Sequence, residues 1–440
     1  MAAPLRIALA GLGTVGGGVI RLLETNAALI ARRAGRPLEI VAVCARDRTK
    51  DRGVDLSRYP WEDDMTLLAE RGDVDVVVEL VGGADGPALA LARRTLAAGK
   101  GLVTANKAMM AHHGMELAEI AEAANDGLGA PLMFEAAVAG GIPVVKGLRE
   151  GAAANAVSRI YGILNGTCNY ILSTMEHSGR DFAEVLGEAQ ALGYAEADPS
   201  FDIEGVDAAH KLAILAGIAF GSRIDFGAME ISGITRIRAA DIAQAAALGY
   251  VIRLIGLADS VADAEALGGG LFQRVQPCLV PRAHPLAAVD GATNAVVVEG
   301  NFSGRLLFQG AGAGDGPTAS AVVADLIDIA RGQTGAPFSV PVAQLQTRAP
   351  ADPGHRLGRT YLRFTVTDRP GVLAEITAAM RDAGVSIESL IQQGRPEEGG
   401  EVLVAIVTHE GPESAVSKAL ALLEGSPSLT EAPLVMPLLG

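Results

Sequence analysis

Asp207 and Lys211 stand four residues apart in the string GYAEADPSFDIEGVDAAHK, Gly193 to Lys211, where polar chemistry is densest in an otherwise apolar, alanine-rich chain. Asp198-Pro199 and Gly205 break this string into a loop and a helix start. Val206, Ala209, Leu212, Ala213, Leu215 and Ala216 then have the spacing of an apolar helical face. On such a helix the two side chains leave one surface a single turn apart, so a carboxylate and an amine can be aimed at the same small molecule. A solvated helix pair would show the same spacing. Glu196 sits on the loop before them. A second amine, Lys107, follows the strand-like run LVTAN, at the carboxyl edge where open α/β sheets bind ligands; a solvated lysine would also fit there.

These side chains need a scaffold, and its first part is legible at the start of the chain. LRIALA reads as a buried strand, and Gly11-Leu12-Gly13-Thr14-Val15-Gly16 follows with the GxGxxG spacing, opening an amphipathic helix expected to run to about Arg33. The first glycine permits the tight turn, the second lets a pyrophosphate approach the backbone, and the third allows helix–strand contact. The helix start presents free N–H groups to the anion. Leu38 to Cys44 reads as the second strand, with Ala45-Arg46-Asp47-Arg48 at its tip. Arg46 favours a ribose 2′-phosphate and hence NADP, while Asp47 leaves NAD open. Further βα units are expected: Val74 to Val81, Pro87 to Ala98, Leu102 to Thr104 and Met115 to Ala124. Their alternation predicts a Rossmann-type, doubly wound, mostly parallel sheet over residues 1–135.

Residues 136–335 read as a second, α+β domain that binds substrate and provides a subunit interface. The run Phe134 to Pro143 pairs one carboxylate, Glu135, with small residues whose turned backbone exposes carbonyls; it suits either a glycine-rich connection or an oxygen-lined cation site. Asn165-Gly166-Thr167 follows an expected strand and signals a turn, which a hairpin alone would explain. Cys168 reads as a small buried residue and His210 as structural. From Leu254 to Gln309 short β-type runs alternate with Gly and Pro. A second glycine loop, Gln309 to Thr318, leads into a helix placed at 317–332, whose N-terminus suits a second contact with the cofactor.

Residues 336–357 are rich in proline and read as a linker. Residues 358–440 then run strand, helix, strand, strand, helix, strand, with Asp368-Arg369-Pro370-Gly371 as the first turn.

The totals narrow the function. The 440 residues suggest about three domains, and 49% hydrophobic residues supply ample core. A formal net charge of −15 argues against nucleic acid or an anionic membrane as the main partner. Three distant cysteines, Cys44, Cys168 and Cys278, form no disulfide framework or zinc spacing and fit a reducing cytoplasm. The apolar run Ile7 to Ala10 is too short for a secretory segment, and none approaches membrane-spanning length.

Four separated strings, GYAEADPSFDIEGVDAAHK, VTANKA, GILNGTCNYIL and the glycine-rich segment around Gly314, resemble homoserine dehydrogenase over residues 5–335. The tail, above all DRPGVLAEI, resembles an ACT domain of ferredoxin-like fold. The resemblance implies reversible NAD(P)-dependent interconversion of L-aspartate 4-semialdehyde and L-homoserine. It implies that Lys211 moves the proton, with Lys107 as a second catalytic lysine that also lies near the nicotinamide. Glu196 and Asp207 are implied to hold the substrate ammonium, with Gly166, Thr167 and Tyr194 at the substrate and Gly193 and Gly314 near the cofactor. The helix at 317–332 is implied to rejoin the nucleotide domain. Glu135 with the carbonyls of Val138, Gly140 and Ile142 would hold a monovalent cation such as sodium. The ACT-like tail suggests a threonine effector near Asp368, Gly371 and Ser386, or a purely structural dimerising role. A homodimer or homotetramer is expected. Two other readings remain: a dehydrogenase of another small amino or hydroxy acid, and a non-catalytic dinucleotide and amino-acid sensor.

Overall fold

The computed structural model describes residues 2–261, 270–393 and 401–440. The chain forms two compact units: Met1–Gly166 with Asp207–Met229 and Thr293–Arg348, and Thr167–Val206 with Glu230–Ala292 and Ala349–Gly440.

In the first unit β1 (Leu5–Ala10), β2 (Leu38–Cys44), β3 (Val76–Glu79), β4 (Gly101–Thr104) and β5 (Leu132–Met133) make a parallel sheet in the order β2-β1-β3-β4-β5. The helices between them are α1 (Thr14–Thr25), α2 (Ala27–Ala34), α3 (Pro87–Ala97) and α4 (Lys107–Ala123). The core joins Ile7, Leu9, Val76, Val78 and Val103 of the strands to Val19 and Ile20 of α1. It also takes in Val322 and Leu326 of the helix Asp315–Arg331, so that late helix does return to the nucleotide-binding sheet. It begins two residues before the expected start because Pro317, lacking an N–H, fits a first turn whose N–H groups have no intrahelical partner.

The helix expected to run unbroken to Arg33 is two helices. Asn26 leaves helical geometry at φ −107°, ψ 19°, while its N–H still bonds to Leu22 O. The apolar spacing carries through the break, so periodicity alone hides it; asparagine is a residue whose side chain competes with the helical backbone. A further part of this unit is antiparallel, with Val157–Ile163 and Gly304–Ala311 flanking Thr293–Gly300.

The second unit contains two long antiparallel strands, Tyr250–Val261 and Gly270–Pro281, twelve residues each. Short runs are expected there from the prolines and glycines. Pro277 and Pro281 are nevertheless accommodated within or at the end of one strand, opposite Leu254 and Tyr250. The tail forms a four-stranded antiparallel sheet in the order Ile387–Gln393, Glu401–Thr408, Thr360–Thr367, Leu434–Pro437. The helices Val372–Ala383 and Glu413–Leu422 cover it, and Leu362, Phe364, Val404, Ile406, Ile376 and Met380 fill its core. On the strand Thr360–Thr367, Arg363 pairs with Asp241, both essentially inaccessible, while the Tyr361 hydroxyl donates to the same carboxylate at 3.0 Å. Burial raises the Asp241 pKa, and Arg363 opposes the rise.

Candidate active site

Lys107 is aimed by the residues just before it. Asn106 caps α4: its side-chain oxygen accepts from Met109 N at 3.0 Å and its amide donates to Gly83 O at 2.7 Å. Asn106 N donates to Thr104 Oγ1 at 3.0 Å, and that hydroxyl donates to Glu79 Oε2 at 2.6 Å. Glu79 is fully buried at the end of β3, where its other oxygen accepts from Val81 N and Gly82 N. A buried carboxylate with three donors thus ties the turn after β3 to Asn106, the cap that precedes α4.

Lys107 Nζ lies 3.0 Å from Asp207 Oδ1. On the helix Val206–Phe220, Lys211 donates to Asp207 Oδ2 at 2.7 Å and to Leu164 O at 2.7 Å, and Asn165 Nδ2 donates to Asp207 Oδ2 at 2.8 Å. Asp207 and Lys211 are only 4% and 8% exposed, which removes the solvated-pair reading. Burial by itself would push the Asp207 carboxyl up, but Lys211, Lys107 and the Asn165 amide outweigh it and hold the group well below the usual carboxylate range. Three nitrogens face a carboxylate with about four lone-pair positions, which leaves room for one more donor. Lys211 has two of its N–H groups engaged, so its third can reach a ligand.

Gly166 opens the helix Gly166–Ser178, so Asn-Gly is a helix start here and not a hairpin turn. The remaining expected substrate residues lie in the second unit. Thr167 Oγ1 donates to Tyr194 O at 2.8 Å and contacts Asp202 Oδ2 at 3.3 Å. The Tyr194 ring is half exposed and stacks on Tyr170 with centroids 4.5 Å apart. Gly193 turns at φ +79°, and Glu196 is an exposed loop residue whose carbonyl accepts from Gln190. Cys168 is buried, with Sγ 3.2 Å from Asp202 O.

The glycine loop has the geometry of close backbone approach. Gly11 sits at φ +97°, where a Cβ would lie 2.6 Å from Leu80 O, and a Cβ on Gly16 would strike Gly11 O. A cleft of about 320 Å³ opens beside it, lined by Leu12, Gly13, Thr14, Gly17, Arg21, Lys50, Asp51, Arg52 and Asp315. Arg46 is exposed on the tip after β2 and does not line this cleft. Lys50 and Arg52 do, and Arg52 Nε donates to Leu12 O at 2.9 Å. The sequence reading missed both; the signal was the run of basic residues continuing past Arg48. Gly314 caps the helix Asp315–Arg331 at φ +114°.

Glu135 is buried, accepting from Val145 N at 3.0 Å and Lys146 N at 2.8 Å, and its own N–H donates to Asp325 Oδ2. Burial and the facing Asp325 raise its pKa to about 7; burial also raises Asp325 to about 6, against the pull of Lys146. Ala139 (φ +55°) and Gly140 (φ +53°) turn the chain sharply between Val138 and Ile142. In the tail, Asp368 and Gly371 (φ +98°) are exposed at a strand–helix turn and Ser386 at the helix–strand connection that follows, where its carbonyl accepts from His409 N.

Together the parallel sheet, the glycine loop with its cleft, and two lysines on one buried carboxylate mark the chain as a dinucleotide-binding enzyme with a buried lysine–carboxylate cluster. The comparisons specify it further. A family model described as homoserine dehydrogenase matches residues 143–327, one for the NAD-binding domain of homoserine dehydrogenase matches 11–128, and an ACT-domain model matches 360–424. The chain is 44% identical to a homoserine dehydrogenase of Pseudomonas aeruginosa, covering 96% of this chain and 95% of the relative. Among solved structures, a homoserine dehydrogenase from Thiobacillus denitrificans gives a TM-score of 0.90 at 41% identity, covering 99% of this chain and 98% of that one. One from S. aureus gives 0.73 at 32% identity, with both chains fully covered. The chain belongs to the homoserine dehydrogenase family, oxidoreductases that act on a CH–OH group, and it ends in an ACT domain. Among the described residues, no helix is long and apolar enough to cross a membrane.

Proposed function

We propose that the chain interconverts L-aspartate 4-semialdehyde and L-homoserine at the Lys107–Asp207–Lys211 cluster, working in the cell towards homoserine. The observation that carries this reading is the buried Asp207 carboxylate, ionised between two lysines and able to take one more donor. Asp207, joined by Glu196, receives the substrate ammonium, which fixes the amino-acid end. Gly166, Thr167 and Tyr194 complete the substrate's surroundings. Lys211, held by Leu164 O and Asp207, directs its third N–H at the aldehyde oxygen and gives up that proton as the carbonyl is reduced. In the reverse direction it takes the proton from the hydroxyl. Lys107, a third exposed at the first turn of α4, steadies the same oxygen on the nicotinamide side.

A nicotinamide dinucleotide would supply or accept the hydride at the carbinol carbon. The crowding at Gly11 and the open N-terminus of α1 suit its pyrophosphate, with Leu12 to Gly16, Gly193 and Gly314 around it. Lys50 and Arg52 in the cleft, together with Arg46 on the neighbouring tip, favour NADP over NAD. Glu135 and the turned carbonyls of Val138, Gly140 and Ile142 suit a monovalent cation, which would offset the repulsion between Glu135 and Asp325. The ACT tail binds L-threonine near Asp368, Gly371 and Ser386 and lowers turnover, in a homodimer or homotetramer. The family-model matches support a nucleotide domain at 1–135, a substrate domain at 136–335 and a tail from 358.

The test is the initial rate of NADP⁺ and of NAD⁺ reduction by L-homoserine, with and without L-threonine. Faster reduction of NADP⁺ and a threonine-dependent fall are expected. Equal use of both nucleotides would refute the cofactor preference, and indifference to threonine would leave the tail a structural role.

A further inference from the structure

The helices that carry the two lysines are joined at a second place that the chemistry does not use. His112 on α4 and His210 on the helix Val206–Phe220 meet with their Nε2 atoms 3.0 Å apart. Phe226 closes a three-ring cluster, stacked on His210 at 4.6 Å and edge-on to His112 at 4.6 Å. His210 is 4% exposed, whereas His112 is exposed on its other side.

We infer that the His112–His210 hydrogen bond is a positioning strut that holds Lys107 in register with Asp207 and Lys211. His112 lies five residues beyond Lys107, about 7.5 Å along α4, and His210 lies three beyond Asp207, about 4.5 Å along its helix. Between α4 and the helix Val206–Phe220 the Lys107–Asp207 contact is a single point, about which one helix can turn relative to the other. A second point further along fixes the pair. The strut matters most when a substrate ammonium occupies Asp207 and competes with Lys107 for the carboxylate; this step rests on the function proposed above.

The bond requires one ring to carry its proton on Nε2 and the other on Nδ1, and it is lost only when both rings are cationic. The groups facing His210 are His112, Asp207, Lys107 and Lys211. Burial, followed by His112, lowers its pKa to about 4 despite Asp207. The strut therefore persists across the pH range in which the enzyme would work.

The experiment compares His112→Leu, which cannot bond, His112→Asn, whose amide is too short, and His112→Gln, whose amide nitrogen stands where Nε2 stands. Each is made in the wild type and in Lys107→Ala. With L-homoserine and NADP⁺, the Leu and Asn variants should lose about tenfold to a hundredfold in kcat, the range for misplaced catalytic groups. Their KM for NADP⁺ should be unchanged, and Gln should restore most of the rate. In the Lys107→Ala background the same substitutions should change kcat less than twofold, because there is no lysine left to position. Wild-type rates in Leu and Asn, equal impairment of Gln and Asn, or a full additional loss in Lys107→Ala would each overturn the inference. Should the Leu variant fail to fold, the Asn and Gln pair decides alone. A wild type without any homoserine-dependent rate would overturn the proposed function as well, whereas an active wild type with an indifferent His112 overturns only the strut.

Discussion

Replacing Asp207 with asparagine keeps its shape and removes its charge, which isolates the electrostatic role of the cluster. The carboxylate is buried and meets Lys211 at 2.7 Å and Lys107 at 3.0 Å. Breaking a buried ion pair costs about 3–5 kcal/mol because the surviving charge stays desolvated. Lys211 is the buried partner and carries this term; Lys107 is a third exposed and adds little after solvent screening. Asparagine keeps one acceptor oxygen, so the lower end, about 3 kcal/mol, is expected. By the size scaling of unfolding entropy this is about 3–4 °C in melting temperature for a chain of this length. The pH dependence has a definite sign. A carboxyl whose folded pKa is depressed adds stability that is fully present above its unfolded value, about 3.9, and is lost as pH falls through the folded value. The gap between wild type and Asp207→Asn should therefore stay constant from pH 8 to pH 5 and close only below about pH 4. Calorimetry of both proteins over that range measures it. A gap that closes between pH 7 and pH 5 would mean that the carboxyl titrates as though the lysines did not hold it.

Thr104→Val removes the hydroxyl that joins Glu79 to Asn106 and leaves a buried carboxylate oxygen short of a donor; it should cost about 1–3 kcal/mol in thermal unfolding and lower homoserine turnover. Glu135 and Asp325 have folded pKa values of about 7 and 6, above the unfolded values, so both bind protons more tightly when folded and stability should fall as pH rises from about 5 to 7. Sodium chloride should accordingly raise the melting temperature more at pH 8 than at pH 5, relative to choline chloride at equal ionic strength; an equal effect at both would count against a cation at Glu135. Arg363→Met strips the buried Asp241 of its charge partner and should destabilise the second unit by about 3–5 kcal/mol, read as earlier proteolysis of the tail in a denaturant series.

The features that the sequence discloses are those in which local spacing and chemistry coincide. The glycine loop, the apolar face of Val206–Phe220 and the order of strands and helices in the tail each need only neighbouring residues to be recognised. The meeting of Lys107 with Asp207 does not, because the two lie a hundred residues apart and only the packing of α4 brings them together. Leu164 and Asn165, which complete that cluster, read in the sequence as a strand end and the start of a turn; they are the two-residue connection between the strand Val157–Ile163 and the helix Gly166–Ser178. Glu79 did leave a trace, a carboxylate inside the apolar run VDVVVEL, since a charge is retained in such a strand only when donors surround it. Asn26 hides the break between α1 and α2 within a continuing apolar pattern. The long strands Tyr250–Val261 and Gly270–Pro281 override the glycine and proline signals because pairing along twelve residues outweighs local preference.

In the proposed reaction Lys211 carries the proton in homoserine oxidation. This role is tested most directly by the single-turnover rate of NADP⁺ reduction by L-homoserine in Lys211→Met, with substrate binding followed separately by calorimetry. Homoserine binding is expected within a few-fold of wild type, with a rate lower by about a hundredfold to ten-thousandfold, the range for a lost general acid–base. Lys211→Met that binds homoserine and reduces NADP⁺ within tenfold of the wild-type rate would contradict that role.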